Sequence, residues 1–141
     1  MLDDINGQII DILREDGRSS NASIARRLGV SEGTIRRRLN MLINSGIVKV
    51  NVILNSAKMG LSTEAIIGIQ VDPDKVDTVG ECLAKLNEIE WVSITTGSFD
   101  MFVWVTVQSA EQLGFFLRNE VATIPGVRKT ETFMNLFKKK L

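Results

Sequence analysis

Few side chains in this sequence could do chemistry. Arg36-Arg37-Arg38 sets three guanidiniums in a row, and their planar donor forks suit phosphates and guanine edges. The chain has no histidine, no tyrosine and one cysteine, Cys82. Ser–His and Cys–His catalysis, histidine-ligated metals and histidine proton shuttles are therefore excluded, as are an internal disulfide and a cysteine zinc cluster. Acid–base work would fall to Asp, Glu, Lys or Cys82. Cys82 stands between Val79 and Leu83 on a helical pattern and reads as a buried apolar residue. No catalytic residue, metal or cofactor is expected.

Charge is unevenly spread over the 141 residues. The total is zero, with 17 basic and 17 acidic residues. Residues 1–60 hold nine basic and six acidic residues, net +3, and residues 61–141 hold eight and eleven, net −3. Between Arg18 and Lys49 there are seven basic residues and one acid, Glu32. A local excess of this kind is the footprint of a surface that meets a polyanion, or else a merely solvated basic face. Hydrophobic residues at 44% and charged residues at 24% are those of an ordinary globular protein. No apolar run nears the ~18 residues of a membrane span, and Met1-Leu2-Asp3-Asp4 has neither a basic nor an apolar leader region. A cytoplasmic protein with no membrane partner is the expectation.

The basic groups must be positioned by elements, and the first 54 residues read as three helices and a strand. Leu2 and Asp3 serve as staple and cap for a helix with the stripe Ile5, Ile9, Ile12 and Leu13, ending at Gly17. A second helix after Ser19 or Ser20 carries Ile24, Ala25 and Leu28 inward and stops at Gly29. Ser31 caps a third, whose buried stripe is Ile35, Leu39, Leu42 and Ile43 and which ends at Gly46. Gly33, Arg37, Asn40 and Asn44 then point outward, with Arg36 and Arg38 on the flanks and Thr34 near the outward face. Arg38 could instead turn back toward the second helix. Residues 47–53 alternate as a β segment. Helix, glycine turn and basic helix form a helix-turn-helix, which places its second helix in a DNA major groove; an ordinary αα-hairpin is the alternative. The candidate DNA-contacting residues are Ser31, Gly33, Thr34, Arg36, Arg37, Arg38, Asn40 and Asn44.

Residues 55–61 read as a linker, and residues 62–141 as a second domain. Strands are expected at 64–71, 91–96, 101–107 and 127–137. Pro73 is expected at the first position of a helix marked by Val76, Val79, Leu83 and Leu86. A capping box of Ser109 and Gln112 opens a helix marked by Leu113, Phe116, Leu117 and Val121. The order βαββαβ is that of a ferredoxin-like sandwich, so the fold class is α+β. Met101-Phe102-Val103-Trp104-Val105-Thr106-Val107 is apolar on both faces, although the helices of such a fold cover one. A bare second face implies a sheet-to-sheet homodimer, or a first domain folded back over the sheet.

The chain resembles the Lrp/AsnC (leucine-responsive, feast/famine) transcriptional regulators along its whole length. Leu2-Asp3, Asp16-Gly17-Arg18, Gly29-Val30-Ser31, Arg38-Leu39, Leu42 and Gly46-Ile47-Val48 resemble that family's helix-turn-helix signature. Gly97-x-Phe99-Asp100 resembles its Gly-x-aromatic-Asp turn, and Ile124-Pro125-Gly126-Val127 with Thr130-x-Thr132 its last strand. Asn6 stands where the family commonly has Asp, Phe99 where it commonly has Tyr, and Gly33 is unusual.

The resemblance implies a winged helix-turn-helix domain followed by an AsnC-type (RAM) ligand-binding domain. It also implies double-stranded DNA as partner, and a homodimer through the second domain, with tetramers or octamers built from it. An effector, usually an amino acid, would be held between dimers, by Thr96, Gly97, Ser98, Phe99, Asp100, Thr130 and Thr132. The backbone of a glycine turn can take a carboxylate, and Asp100, the sole carboxylate between Trp91 and Ala110, can take an ammonium. The alternative is a turn whose Asp bonds backbone. Two rival functions share the outline. Sirohaem decarboxylases have this architecture but rely on histidine, and a DNA-packing protein of low specificity would use the same arginines.

Overall fold

The computed structural model describes residues 3–140, so the expected staple residue Leu2 lies outside the described residues. The chain divides into two compact units, residues 1–53 and residues 54–141.

The first unit contains α1 (Asp4–Glu15), α2 (Asn21–Leu28) and α3 (Glu32–Asn44). Each starts on a side-chain cap: Asp3, Ser20 and Ser31 accept from the N–H of Asn6, Ser23 and Thr34. Gly29 ends α2 with φ +67, where a side chain would be strained. Ile9, Ile12, Ile24, Ala25, Ile35 and Leu42 form the buried core.

Three expectations change here. First, α1 stops at Glu15, and the Asp16 carboxylate accepts from the Arg18 N–H, so an Asp turn rather than Gly17 ends it. Second, Ile43 is 41% exposed, because it sits about 80° around the helix from Ile35 at 100° per residue. Third, residues 47–53 form no strand. A strand needs a partner for its N–H and C=O groups, and among the described residues the first unit has no other. The Val48 N–H instead donates to the Leu42 carbonyl, and Val50, Val52 and Ile53 stand exposed.

Arg38 does not turn to α2. Its Nη1 donates to Asp3 Oδ2 at 2.6 Å and to Asn6 Oδ1 at 3.1 Å, clamping α3 to the start of α1. Asn6 is buried.

The second unit runs β1 (Thr63–Val71), α4 (Val76–Ala84), β2 (Ile89–Ile94), β3 (Met101–Val107), α5 (Ala110–Phe116) and β4 (Val127–Met134). A 3-10 turn at Ala57–Met59 precedes β1, and a π-helical turn, Leu117–Val121, extends α5. The sheet order is β2-β3-β1-β4, with every neighbouring pair antiparallel. Ala65, Ile67 and Ile69 of β1 and Met101, Val103 and Val105 of β3 are fully buried with Val79 and Leu83 of α4 and Leu113 and Phe116 of α5.

Four details depart from expectation. Pro73 lies in a turn, and α4 begins at Val76 with Lys75 as its cap. Leu86 falls beyond the end of α4, although it still packs on the core. β2 stops at Ile94 because the Thr95 N–H turns to the Asp100 carbonyl. β4 ends at Met134, where β1 offers no further partner beyond one bond from the Asn135 N–H to the Glu64 carbonyl. The Ser109 cap is present, but Gln112 accepts from the Gln108 N–H rather than from Ser109 itself.

The Arg38 clamp has a pH signature. The Asn6 N–H and then the Arg38 guanidinium hold the Asp3 carboxyl below its usual range. A depressed folded-state value stabilises the fold at pH values above the unfolded one, about 4, and that stabilisation is lost as pH falls through the folded value. We expect Arg38→Ala to raise the Asp3 pKa part of the way, since the Asn6 N–H remains, as read by carboxyl-carbon NMR titration. An unchanged Asp3 titration in Arg38→Ala would contradict the clamp.

Candidate nucleic-acid interface and ligand turn

In the first unit α2, the Gly29 turn and α3 form the helix-turn-helix. Val30 N–H donates back to the Ala25 carbonyl at 3.1 Å and closes the end of α2. Ser31 holds the start of α3 twice, through the Thr34 N–H at 3.1 Å and the Thr34 hydroxyl at 2.8 Å. Thr34 is thereby committed to the cap.

The outward face of α3 carries Gly33, Arg36, Arg37, Asn40 and Asn44, all exposed. No atom lies within 4 Å of where a Gly33 side chain would begin, so packing does not require glycine there. Arg36 pairs with Glu32 at 3.1 Å, one helical turn back and in water, a pair worth only a few tenths of a kcal/mol that a phosphate can displace. Arg37 makes no ion pair among the described residues. Arg38 is spent on Asp3 and Asn6. The three consecutive arginines therefore separate into one structural clamp and two groups open to an anion.

In the second unit the turn between β2 and β3 is tied to β1. The Asp100 N–H donates to the Ile69 carbonyl at 2.9 Å, Asp100 Oδ2 accepts from the Val71 N–H at 2.8 Å, and Gln70 Nε2 donates to the Ser98 carbonyl at 2.9 Å. These bonds sit where the β1–β4 register shifts, between Gln70 and Val71. One oxygen of Asp100 thus serves the backbone of a neighbouring strand. Thr96, Gly97 and Ser98 are exposed, with Gly97 at φ +105.

The seven expected effector residues do not converge within one subunit. Thr130 and Thr132 of β4 lie opposite Ile69 and Ile67, on the sheet face that the helices cover. Phe99 lies over Gly68, on the other face. Ile69 pairs with Thr130 on one side and Met101 on the other, so Thr130 and Met101, the residue that follows the turn, are separated by two strand spacings, about 10 Å. Sequence reasoning missed Gly68, Gln70 and Val71 as partners of the turn. Only Gly68 gave a signal: a glycine inside a strand marks close approach by another group.

The face away from the helices exposes a cluster of rings. Trp91 and Trp104 lie 6.3 Å apart, and Phe99 packs edge-on against Phe102 and Phe133. Trp91 on β2 and Phe133 on β4, the two edge strands, are 44% and 43% exposed, enough to leave large apolar surface in water.

Residues 2–49 match the winged helix-turn-helix DNA-binding family, and residues 64–140 match the Lrp/AsnC ligand binding domain. An uncharacterised HTH-type transcriptional regulator of Pyrococcus furiosus is 42% identical, over 94% of this chain and 90% of its own length. The leucine response regulatory protein LrpA of Mycobacterium tuberculosis superposes with a TM-score of 0.90 at 27% identity, covering 99% of this chain and 96% of its own. A transcriptional regulator of Neisseria meningitidis, solved as a complex with L-methionine, superposes with a TM-score of 0.91 at 22% identity, covering 100% and 94%. With its helix-turn-helix and its ligand-binding sheet domain, the chain belongs to the Lrp/AsnC family of transcriptional regulators.

Proposed function

We propose that the protein binds specific DNA sites as a homodimer, or as an assembly of dimers, and that an amino acid bound at the turn 96–100 adjusts its assembly or DNA affinity. The observation that carries the reading is the division of labour on α3. Arg38 is held inward by Asp3, while Arg36, Arg37, Asn40 and Asn44 share the exposed face. Arginine reads guanine and asparagine reads adenine by paired hydrogen bonds, so this face has the donors and acceptors for base readout as well as for phosphate. A packing protein would need only the charges.

The exposed ring cluster of the sheet supports a dimer. Two recognition helices related by a two-fold axis read half-sites one helical turn apart, roughly 34–36 Å. The turn supplies the ligand reading: Gly97 and Ser98 are exposed, and the Asp100 charge lies beside them. Because Thr130 and Thr132 stand off from the turn in one subunit, a neighbouring subunit would complete the site. The Neisseria meningitidis protein of like fold was solved with L-methionine, which makes amino acids the first ligands to try.

DNA sites can be selected from a random duplex pool. On the selected site, Arg36→Ala/Arg37→Ala should lose about 1–3 kcal/mol for each base contact removed, and should flatten the salt slope by about one for each phosphate contact removed. Folding, followed by circular dichroism, should be little changed. Wild-type affinity and salt slope in the double variant would refute the assignment.

For the ligand, a thermal-shift screen of the twenty amino acids tests the turn. A ligand at 100 times its dissociation constant adds ~2.7 kcal/mol. Asn at position 100 can still accept from the Val71 N–H, so Asp100→Asn removes charge and leaves that bond. The shift should vanish in Asp100→Asn while DNA binding persists; a shift of wild-type size would place the ligand elsewhere.

A further inference from the structure

The turn and the bare sheet face meet at one point. Phe99 leaves the turn and lays its ring on Gly68 of β1. A Cβ at Gly68 would lie 2.8 Å from Phe99 Cγ and Cδ2 and 2.9 Å from Cδ1. These atoms belong to the root of the ring, so no flexible tip can swing aside. Gly68 is buried beneath it. Phe102 on β3 walls the seat on one side, with centroids 5.5 Å apart at 70°, and Phe133 on β4 walls the other at 6.3 Å and 86°. Gly68 pairs directly with Phe102 across the β1–β3 ladder. The ring thus spans three strands of the face. The next residue, Asp100, is bound through its N–H to Ile69 and through its carboxylate to Val71.

We propose that Gly68 and Phe99 form a ring-and-notch joint that couples the turn 96–100 to the self-association face of the sheet. The proposal rests on the self-association reading given above and names its regulation. Anything that draws on the backbone of the turn, or on Asp100, must carry the Phe99 ring with it or unseat it. A close-packed seat of this kind holds or lets go and does not deform smoothly. The ring is also part of the surface that a second copy would cover. A ligand at the turn therefore shifts assembly by its differential affinity for the seated and unseated states, and assembly shifts ligand affinity by the same factor. Phe99 acts from the sheet side of the turn.

The coupling can be tested without knowing the ligand. Two quantities are read on the full chain: the self-association constant by sedimentation equilibrium, and amide exchange at Val71 and Asp100. Gly68→Ala and Phe99→Ala should each accelerate exchange at both amides by about tenfold or more, although neither changes a residue that bonds them. Asp100→Ala, off the face, should weaken self-association by about tenfold. In the Phe99→Ala background, adding Gly68→Ala should change both quantities by less than about threefold, because the ring it collides with is gone. If Gly68→Ala alone does not fold, the Phe99→Ala and Asp100→Ala arms decide. Wild-type exchange at Val71 and Asp100 in Phe99→Ala, or wild-type self-association in Asp100→Ala, overturns the joint while leaving the dimer in place. A wild type that sediments as a monomer at micromolar concentration removes the self-association reading, and the joint with it.

Discussion

Two helices lie on one side of a four-stranded sheet, yet β3 is apolar on both sides. Val103 and Val105 are fully buried beneath α4 and α5, and Phe102 and Trp104 point the other way with Trp91, Phe99 and Phe133 around them. Each ring left in water forgoes roughly 25 cal/mol for every Å² that a second surface could cover. This imbalance organises the second unit. It makes the free face the natural place for another copy. It also places the turn 96–100 at the rim of that face, tied to β1 by the bonds from Asp100 and Gln70.

The first unit solves a different problem with fewer groups. Among the described residues its buried core is six side chains, and its helices are short. The caps Asp3, Ser20 and Ser31 and the left-handed Gly29 fix where each helix begins and how the second turns into the third. Arg38 adds a charged clamp at the α1–α3 contact. With that group withdrawn, Arg36 and Arg37 present positive charge on a helix whose outward side is otherwise small or amide-bearing. A helix built so can lie close to a groove floor and still reach phosphates on its flanks.

What the sequence made legible was local. Ser31 and Gly29 act through neighbouring backbone, and both appear where residue type and spacing place them. β3 runs from Met101 to Val107 as expected, because a seven-residue run, apolar but for Thr106 and bounded by Asp100 and Gln108, has little freedom. The divergences are where a distant group decides. Residues 47–53 have strand-like residues but no strand beside them. Arg38 looks like its two neighbours, and only Asp3, thirty-five residues away in the chain, sets it apart. Within one subunit, register sets Phe99 and the pair Thr130 and Thr132 on opposite faces of the sheet, a placement that residue types alone do not give. Gly68 is plain in the sequence, whereas the ring that needs it comes from across the sheet.

The central claim is that a second copy covers the bare face in solution, and the chain carries its own probe of it. Its two tryptophans, Trp91 and Trp104, both stand on that face. The direct measurement is the tryptophan emission maximum followed from tens of micromolar down to nanomolar concentration. The account predicts blue-shifted emission, typical of a dry environment, at high concentration, moving to the red on dilution as the face is uncovered. Emission of water-exposed tryptophan at every concentration would contradict it.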